Sequence, residues 1–297
     1  MKLSIVILNW NSNHHLVRCL QSLGNCTVEP REIIIVDNGS RDGSQEFLQS
    51  MEQRGHVRVI LNPSNQGVGP ARNQGFAVAR SEYVLSLDAD TQIIPGAIEE
   101  LLRTMESNPT VGLCGARLQG PDGERQYTCR EFPTLQSKLF RQLPFSLRRF
   151  LLREQELLDW DQDGSRYVCY VIGACQMMRR RALEQVGAYD PAIFYGPEDV
   201  DLCLRMWSAG WKVLYVGRAA IIHSEQRITK GWDKLFSRAT RAHIKGLIYY
   251  FWKHRYLFRP PLALANLGAP PLLLSSCPPK LSRAAEAQCA RAGKAVT

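Results

Sequence analysis

The sequence predicts an α/β fold, a mixed and mainly parallel sheet flanked by helices, and three observations carry that prediction. Short β-branched apolar runs alternate with longer helical patterns through the first 110 residues, the order expected of βαβ units. Each of these early runs passes directly into polar residues: Asn9-Trp10-Asn11, Asp37-Asn38-Gly39-Ser40, Asn62-Pro63 and Asp88-Ala89-Asp90. A chain of 297 residues with 45% hydrophobic content can also bury one large core without disulfides or structural metals.

Strands are expected at 4–8, 32–36, 57–61 and 83–87, with helices near 15–23, 43–54, 69–79 and 96–107. The second half is less regular. It reads as short strands and loops over 111–135, an amphipathic basic helix over 137–157, a strand region at 167–178, a short helix at 181–187 and a helix with acidic residues at its start over 198–209. Late strands follow at 213–216 and 220–223, then a basic, aromatic-rich helix over 233–256. From Pro260 onward proline and small residues dominate, the composition of a poorly ordered tail.

The formal charge of +9 is unevenly spread. Residues 1–226 carry 24 Lys+Arg against 26 Asp+Glu, whereas 227–259 carry nine basic residues against Asp233 alone. The basic character therefore belongs to the C-terminal quarter, and no nucleic-acid-binding module accompanies it. Nine cysteines, an odd number without CxxC pairs, fit reduced thiols in the cytoplasm. The apolar start of the chain runs at once into Asn9 and reads as a first strand, and no apolar run reaches the length of a membrane span.

Ligands of open α/β sheets bind beyond the carboxyl ends of the strands, where this chain concentrates its polar groups. Asp88 and Asp90 at the end of a buried strand suit a hard divalent cation and a diphosphate; the plainer reading is a solvated loop. The turn 37–44 either caps a helix or presents Asp37 to a pyrimidine ring N–H. Segment 65–75 sets small residues, Arg72 and Asn73 at a helix start, where backbone N–H groups and a guanidinium favour phosphate.

The segments 4–11, 36–44, 65–75, 87–90 and 196–205 together resemble, in order, the motifs of glycosyltransferase family 2, and the Glu198-Asp199-Val200-Asp201-Leu202-Cys203 form resembles its bacterial rhamnosyltransferases. The resemblance runs from about residue 3 to about residue 225. It implies a Rossmann-like GT-A fold over 1–226, with a nucleotide-binding half at about 1–110 and an acceptor half at about 111–226, followed by a basic extension at 227–259 and the tail 260–297. It implies donor binding by Asn9, Asn11, Asp37, Arg72, Asn73 and Asp88, Mg²⁺ or Mn²⁺ on Asp90 and His223, and acceptor contacts from Gly173, Ala174 and Glu198. Asp199 would be the general base, with capping of its helix as the structural alternative.

The implied reaction is inverting transfer of a sugar, with rhamnose suggested, from a UDP or dTDP donor to a glycan or lipid-linked hydroxyl. Basic residues beside interfacial aromatics at 137–153 and 233–256, with Tyr249–Trp252 at the centre, suit peripheral attachment to an anionic membrane surface; packing on the core is the alternative. A sugar-phosphate nucleotidyltransferase would show a glycine-rich basic loop after the first strand, where this chain has Asn9-Trp10-Asn11-Ser12. A non-catalytic nucleotide-sugar-binding protein would be expected to lack Asp90 or Asp199, and both are present.

Overall fold

The computed structural model describes residues 2–24, 26–28, 31–140, 164–224 and 237–261. The order is β1 (Leu3–Asn9), α1 (Asn13–Leu23), β2 (Arg31–Asp37), α2 (Ser44–Gln53), β3 (Arg58–Leu61), α3 (Val68–Val78), β4 (Tyr83–Asp88), β5 (Thr91–Ile93), α4 (Ala97–Ser107), β6 (Val111–Gln119) and β7 (Cys129–Arg130). Then come α5 (Leu135–Phe140), β8 (Ser165–Tyr167), β9 (Tyr170–Val171), β10 (Cys175–Arg179), α6 (Arg180–Val186), α7 (Glu198–Ser208), β11 (Lys212–His223) and α8 (Arg238–His254).

Among the described residues the main sheet has nine strands in the order β3-β2-β1-β4-β10-β6-β11-β5, with β8 paired to β11. β3, β2, β1 and β4 are mutually parallel, and β10 is antiparallel to β4 and β6. The continuous apolar runs of β1 and β4 follow from burial on both faces. Helix α3 lies so close to β1 that a Cβ on Gly75 would stand 2.3 Å from Val6 Cγ1, so any larger residue there would push the helix off the sheet.

The four early strands and four early helices lie where the periodicity puts them. The two late strands expected at 213–216 and 220–223 are instead one twelve-residue strand, β11, with a break in its pairing to β6 between Val216 and Ala220. The interruption that suggests two strands is this bulge. The helix expected over 137–157 is described only as α5, and most of it, like the tail 262–297, lies outside the described residues. Cys19, Cys26, Cys114, Cys129, Cys169, Cys175 and Cys203 are buried free thiols.

Helix α8 shares the hydrophobic core through Tyr250 and Phe251, and Tyr256 follows them into it. Tyr249 Oη donates to Asp190 at 3.1 Å, and Lys253 Nζ lies 2.6 Å from the same carboxylate. The aromatic cluster 249–252 is thus mostly turned inward, because the core and Asp190 take three of its four rings; only Trp252 is exposed. The outer face carries Ile244, Ile248 and Trp252 at four-residue spacing, 51%, 65% and 74% exposed. No helix among the described residues is long and apolar enough to cross a membrane.

Candidate active site

The sheet register assembles the acidic edge. β4 ends at Asp88, beside Leu8 of β1, and Asp90 lies in the turn that leads into β5. β11 runs antiparallel to β5 and sets His223 opposite Thr91, which returns its imidazole to the turn. Asp88, Asp90 and His223 each offer a ligand atom, and those atoms lie within 4.8 Å of one another. His223 Nε2 is 3.6 Å from Asp90 Oδ1. On its other side His223 Nδ1 meets Gln126 Oε1 at 2.7 Å, while Gln126 Nε2 donates to the His223 carbonyl at 2.8 Å. With Nδ1 donating to Gln126, Nε2 keeps its lone pair for a cation. Two carboxylates and one imidazole fit a divalent metal of the Mg²⁺ or Mn²⁺ type.

Arg72 of α3 is 2% exposed and forms an ion pair with Asp88. Its Nε and Nη1 are buried without hydrogen-bond partners, and its guanidinium lies 5.5 Å from the centre of the Tyr189 ring. A buried guanidinium with two unused donors at a cavity wall is suited to an anionic ligand.

The opposite wall starts at α7. Asp199 is held by two backbone donors: Val200 N to Oδ1 at 2.8 Å and Gly173 N to Oδ2 at 3.0 Å. Burial pushes its carboxyl above the usual range, against the pull of those two N–H groups and of the Arg72 and Lys138 cations. Glu198 beside it is buried with Oε2 lacking a partner, and burial together with the Asp199 charge pushes it up to about 7. Asp201 faces away, wholly buried among Arg205 Nε at 2.8 Å, Lys253 Nζ at 2.7 Å and His254 Nε2 at 2.8 Å. Burial works to raise Asp201, but the His254 hydrogen bond and the Arg205 and Lys253 cations outweigh it and hold it at about 2.

A cavity of about 320 Å³ joins these groups, lined among others by Arg72, Asp88, Gly173, Ala174, Glu198, Asp199 and His223. Of the residues singled out in the sequence, those seven share the cavity, and Asp90 adjoins it through His223.

Asn9, Asn11, Asp37 and Asn73 are not among its lining residues. Asn9 and Asp37 are paired in the parallel register, and Asp37 accepts from Asn9 Nδ2 at 2.8 Å, Ser40 N at 2.9 Å and Gln45 Nε2 at 2.9 Å. Asn11 Oδ1 accepts from Arg41 N, and Asn73 exchanges two hydrogen bonds with the Tyr189 backbone. These hydrogen bonds brace the surrounding loops, while Asn9 Oδ1 is buried without a partner.

Sequence reasoning missed Gln126, which sits in a loop without pattern, and the cavity-lining Arg130, Lys138, Tyr170, Tyr195 and His243. These belong to separate parts of the chain, and their only sequence signal was the basic character of the segments holding Lys138 and His243.

Comparison with known proteins accords with this geometry. The profile of Glycosyl transferase family 2 matches residues 4–187. The N-acetylglucosaminyl-diphospho-decaprenol L-rhamnosyltransferase of Mycobacterium tuberculosis is 30% identical over 283 residues, covering 90% of each chain. Among solved structures, the mannosyltransferase PcManGT of Pyrobaculum calidifontis in complex with GDP-Man and Mn²⁺ aligns at a TM-score of 0.57 and 15% identity, over 88% of this chain and 66% of that one. GalNAc-T7 with UDP, GalNAc and Mn²⁺ aligns at 0.59 and 19%, over 86% of this chain and 55% of its own, and both likenesses bear on the fold. The chain thus belongs to glycosyl transferase family 2 and is a glycosyltransferase with the GT-A fold.

Proposed function

We propose that this enzyme moves a sugar, with inversion, from a UDP- or dTDP-type donor to a hydroxyl of a polyprenyl-diphosphate-linked glycan. The acceptor class and rhamnose as the sugar are taken from the mycobacterial relative. The observation that carries the reading is that one cavity joins Asp88 and His223 of the metal-ligand cluster to a carboxylate, Asp199, held in place by backbone N–H groups.

Asp88, Asp90 and His223 would hold Mg²⁺ or Mn²⁺, which when bound neutralises the departing diphosphate. Arg72 pairs with Asp88 and directs its remaining N–H groups to donor phosphate oxygens. Asp199 accepts the proton of the acceptor hydroxyl as the new C–O bond forms, and its raised affinity for protons suits that task near neutral pH. The Gly173 N–H fixes its Oδ2, which leaves proton acceptance to lone pairs facing the cavity. A single displacement from the face opposite the leaving group inverts the anomeric centre and needs no covalent sugar-enzyme species. Asn9, Asn11, Asp37 and Asn73 are assigned to donor binding on the family resemblance, and their hydrogen bonds brace the loops that carry them.

The test is a panel of nucleotide sugars with Mg²⁺ or Mn²⁺, read by donor turnover and thermal stabilisation. One donor of the UDP or dTDP class that stabilises the protein and is consumed supports the reading; indifference to every nucleotide sugar overturns it. We further propose that α8 rests on an anionic membrane, because Ile244, Ile248 and Trp252 are exposed beside Arg241, Lys245 and Arg255 on its outer face. Binding to anionic liposomes should weaken in Ile248→Ser/Trp252→Ser, and a parent protein that ignores such liposomes at low salt would rule the surface out.

A further inference from the structure

We propose that Arg130, Lys138 and His243 form a second subsite of the cavity, one that takes a phosphate group of the acceptor. The proposal rests on the glycosyltransferase reading above and adds to it the means by which an anionic acceptor is held.

All three side chains line the same cavity as Asp199, yet they come from three separate elements, β7, α5 and α8. They have no place in donor binding as described, where the metal cluster and Arg72 already answer the donor phosphates. Their wall is a built one: Leu135 N donates to the Leu257 carbonyl at 2.7 Å and Tyr256 Oη to the Pro133 carbonyl at 3.0 Å, so the start of α5 is tied to the chain leaving α8. His243 is set against the loop preceding α7. A Cβ on Gly196 would stand 2.7 Å from His243 Nδ1, and the Tyr195 ring lies 6.3 Å from its own.

Electrostatics favours such a subsite for an acceptor carrying a diphosphate. Glu198 and Asp199 put two carboxyl groups on the cavity wall, and a dianionic substrate approaching them is repelled unless cations stand nearby. Lys138 is close enough to Asp199 for its charge to act on that carboxyl. Tyr170 and Ile172 give the same cavity an apolar surface, suited to the first carbons of a lipid chain. An acceptor held by its phosphate would present its sugar hydroxyl to Asp199 in a fixed orientation, which is where positioning contributes to rate.

Titration calorimetry tests this on the full chain with the donor site already filled by saturating UDP and Mn²⁺. Decyl diphosphate is expected to bind at least about tenfold more tightly than neutral decyl glucoside, which carries the same chain. Arg130→Gln and Lys138→Gln should each weaken decyl diphosphate about tenfold, whereas Lys138→Arg should retain the affinity. Equal binding of the two probes by the parent, a comparison that needs no variant, overturns the subsite, as does undiminished binding by Gln variants that still take up UDP and Mn²⁺. Failure of UDP and Mn²⁺ to bind in the preceding titration strikes the glycosyltransferase reading instead, so the two failures are told apart.

Discussion

The two walls of the cavity, which the proposed function assigns to donor and acceptor, are built in opposite ways. On the donor side, Asp88 ends one sheet strand and His223 another, while Asp90 lies in the tight turn between β4 and β5; hydrogen-bonded register sets their spacing. On the acceptor side, Asp199, Lys138 and His243 stand on three helices, and loop contacts and ion pairs fix how those helices meet. The donor wall is acidic and suited to a metal; the acceptor wall interleaves carboxyl groups with cations. A nucleotide diphosphate can be met by a rigid edge, whereas a larger acceptor needs a surface assembled from remote parts of the chain.

The largest expected effect tests the donor wall. Chelation of divalent metal, or Asp90→Ala, is expected to lower transfer on the order of 10³-fold, because an unneutralised diphosphate leaves poorly. Full activity in excess chelator would remove the metal from the comparison altogether. On the acceptor wall, Asp199→Asn should cost on the order of 10²-fold in kcat while donor affinity stays within about twofold of the parent. If donor affinity falls as steeply as kcat, the two walls do not work separately.

A smaller effect sharpens the boundary between them. Gln126 lies in the stretch expected from the sequence to serve the acceptor but holds both the ring and the carbonyl of His223, so Gln126→Ala should weaken Mn²⁺ binding about tenfold. Calorimetry giving an unchanged affinity would leave Gln126 as a loop brace.

The smallest effect concerns stability. The folded Glu198 carboxyl sits at about 7, above its ordinary value near 4.5, so its burial favours the protonated form. That contribution is complete below pH 4.5 and is lost as pH rises through 7. Glu198→Gln, which resembles the protonated state, should therefore gain on the order of 1–3 kcal/mol over the parent at pH 8 and nothing at pH 4.5. Thermal melts at the two pH values decide it; an equal change at both would mean that packing, and not charge, governs the site.

The same contrast explains what could be read from the residues. The donor wall was legible because each strand delivers its polar residues locally: an apolar run followed by Asp88-Ala89-Asp90 carries its own evidence. Asp199 was legible as an acid at the start of a helix, and His223 as a histidine at a strand end. The partners of Asp37 were not, since an aspartate at a strand end looks the same in sequence with or without acceptance from Asn9, Ser40 and Gln45. Gln126, Arg130 and His243 left no local signal, because their meeting depends on how β7, α5 and α8 pack. The helix at 238–254 was visible as basic and aromatic, but which rings it buries is decided by Asp190 and Asp201, residues far away in sequence.

Asp199 and Asp201 stand two residues apart on the first turn of α7, one beside the cavity and the other closing an ion pair with Lys253 and a hydrogen bond with His254. During synthesis the strands that present Asp88 can pair as they leave the ribosome, but the turn bearing the base cannot take up its full set of partners until residue 254 has emerged. On the proposed assignment of Asp199 as the base, that residue is among the last parts of the enzyme to be set in place, after every residue assigned to the donor has been made.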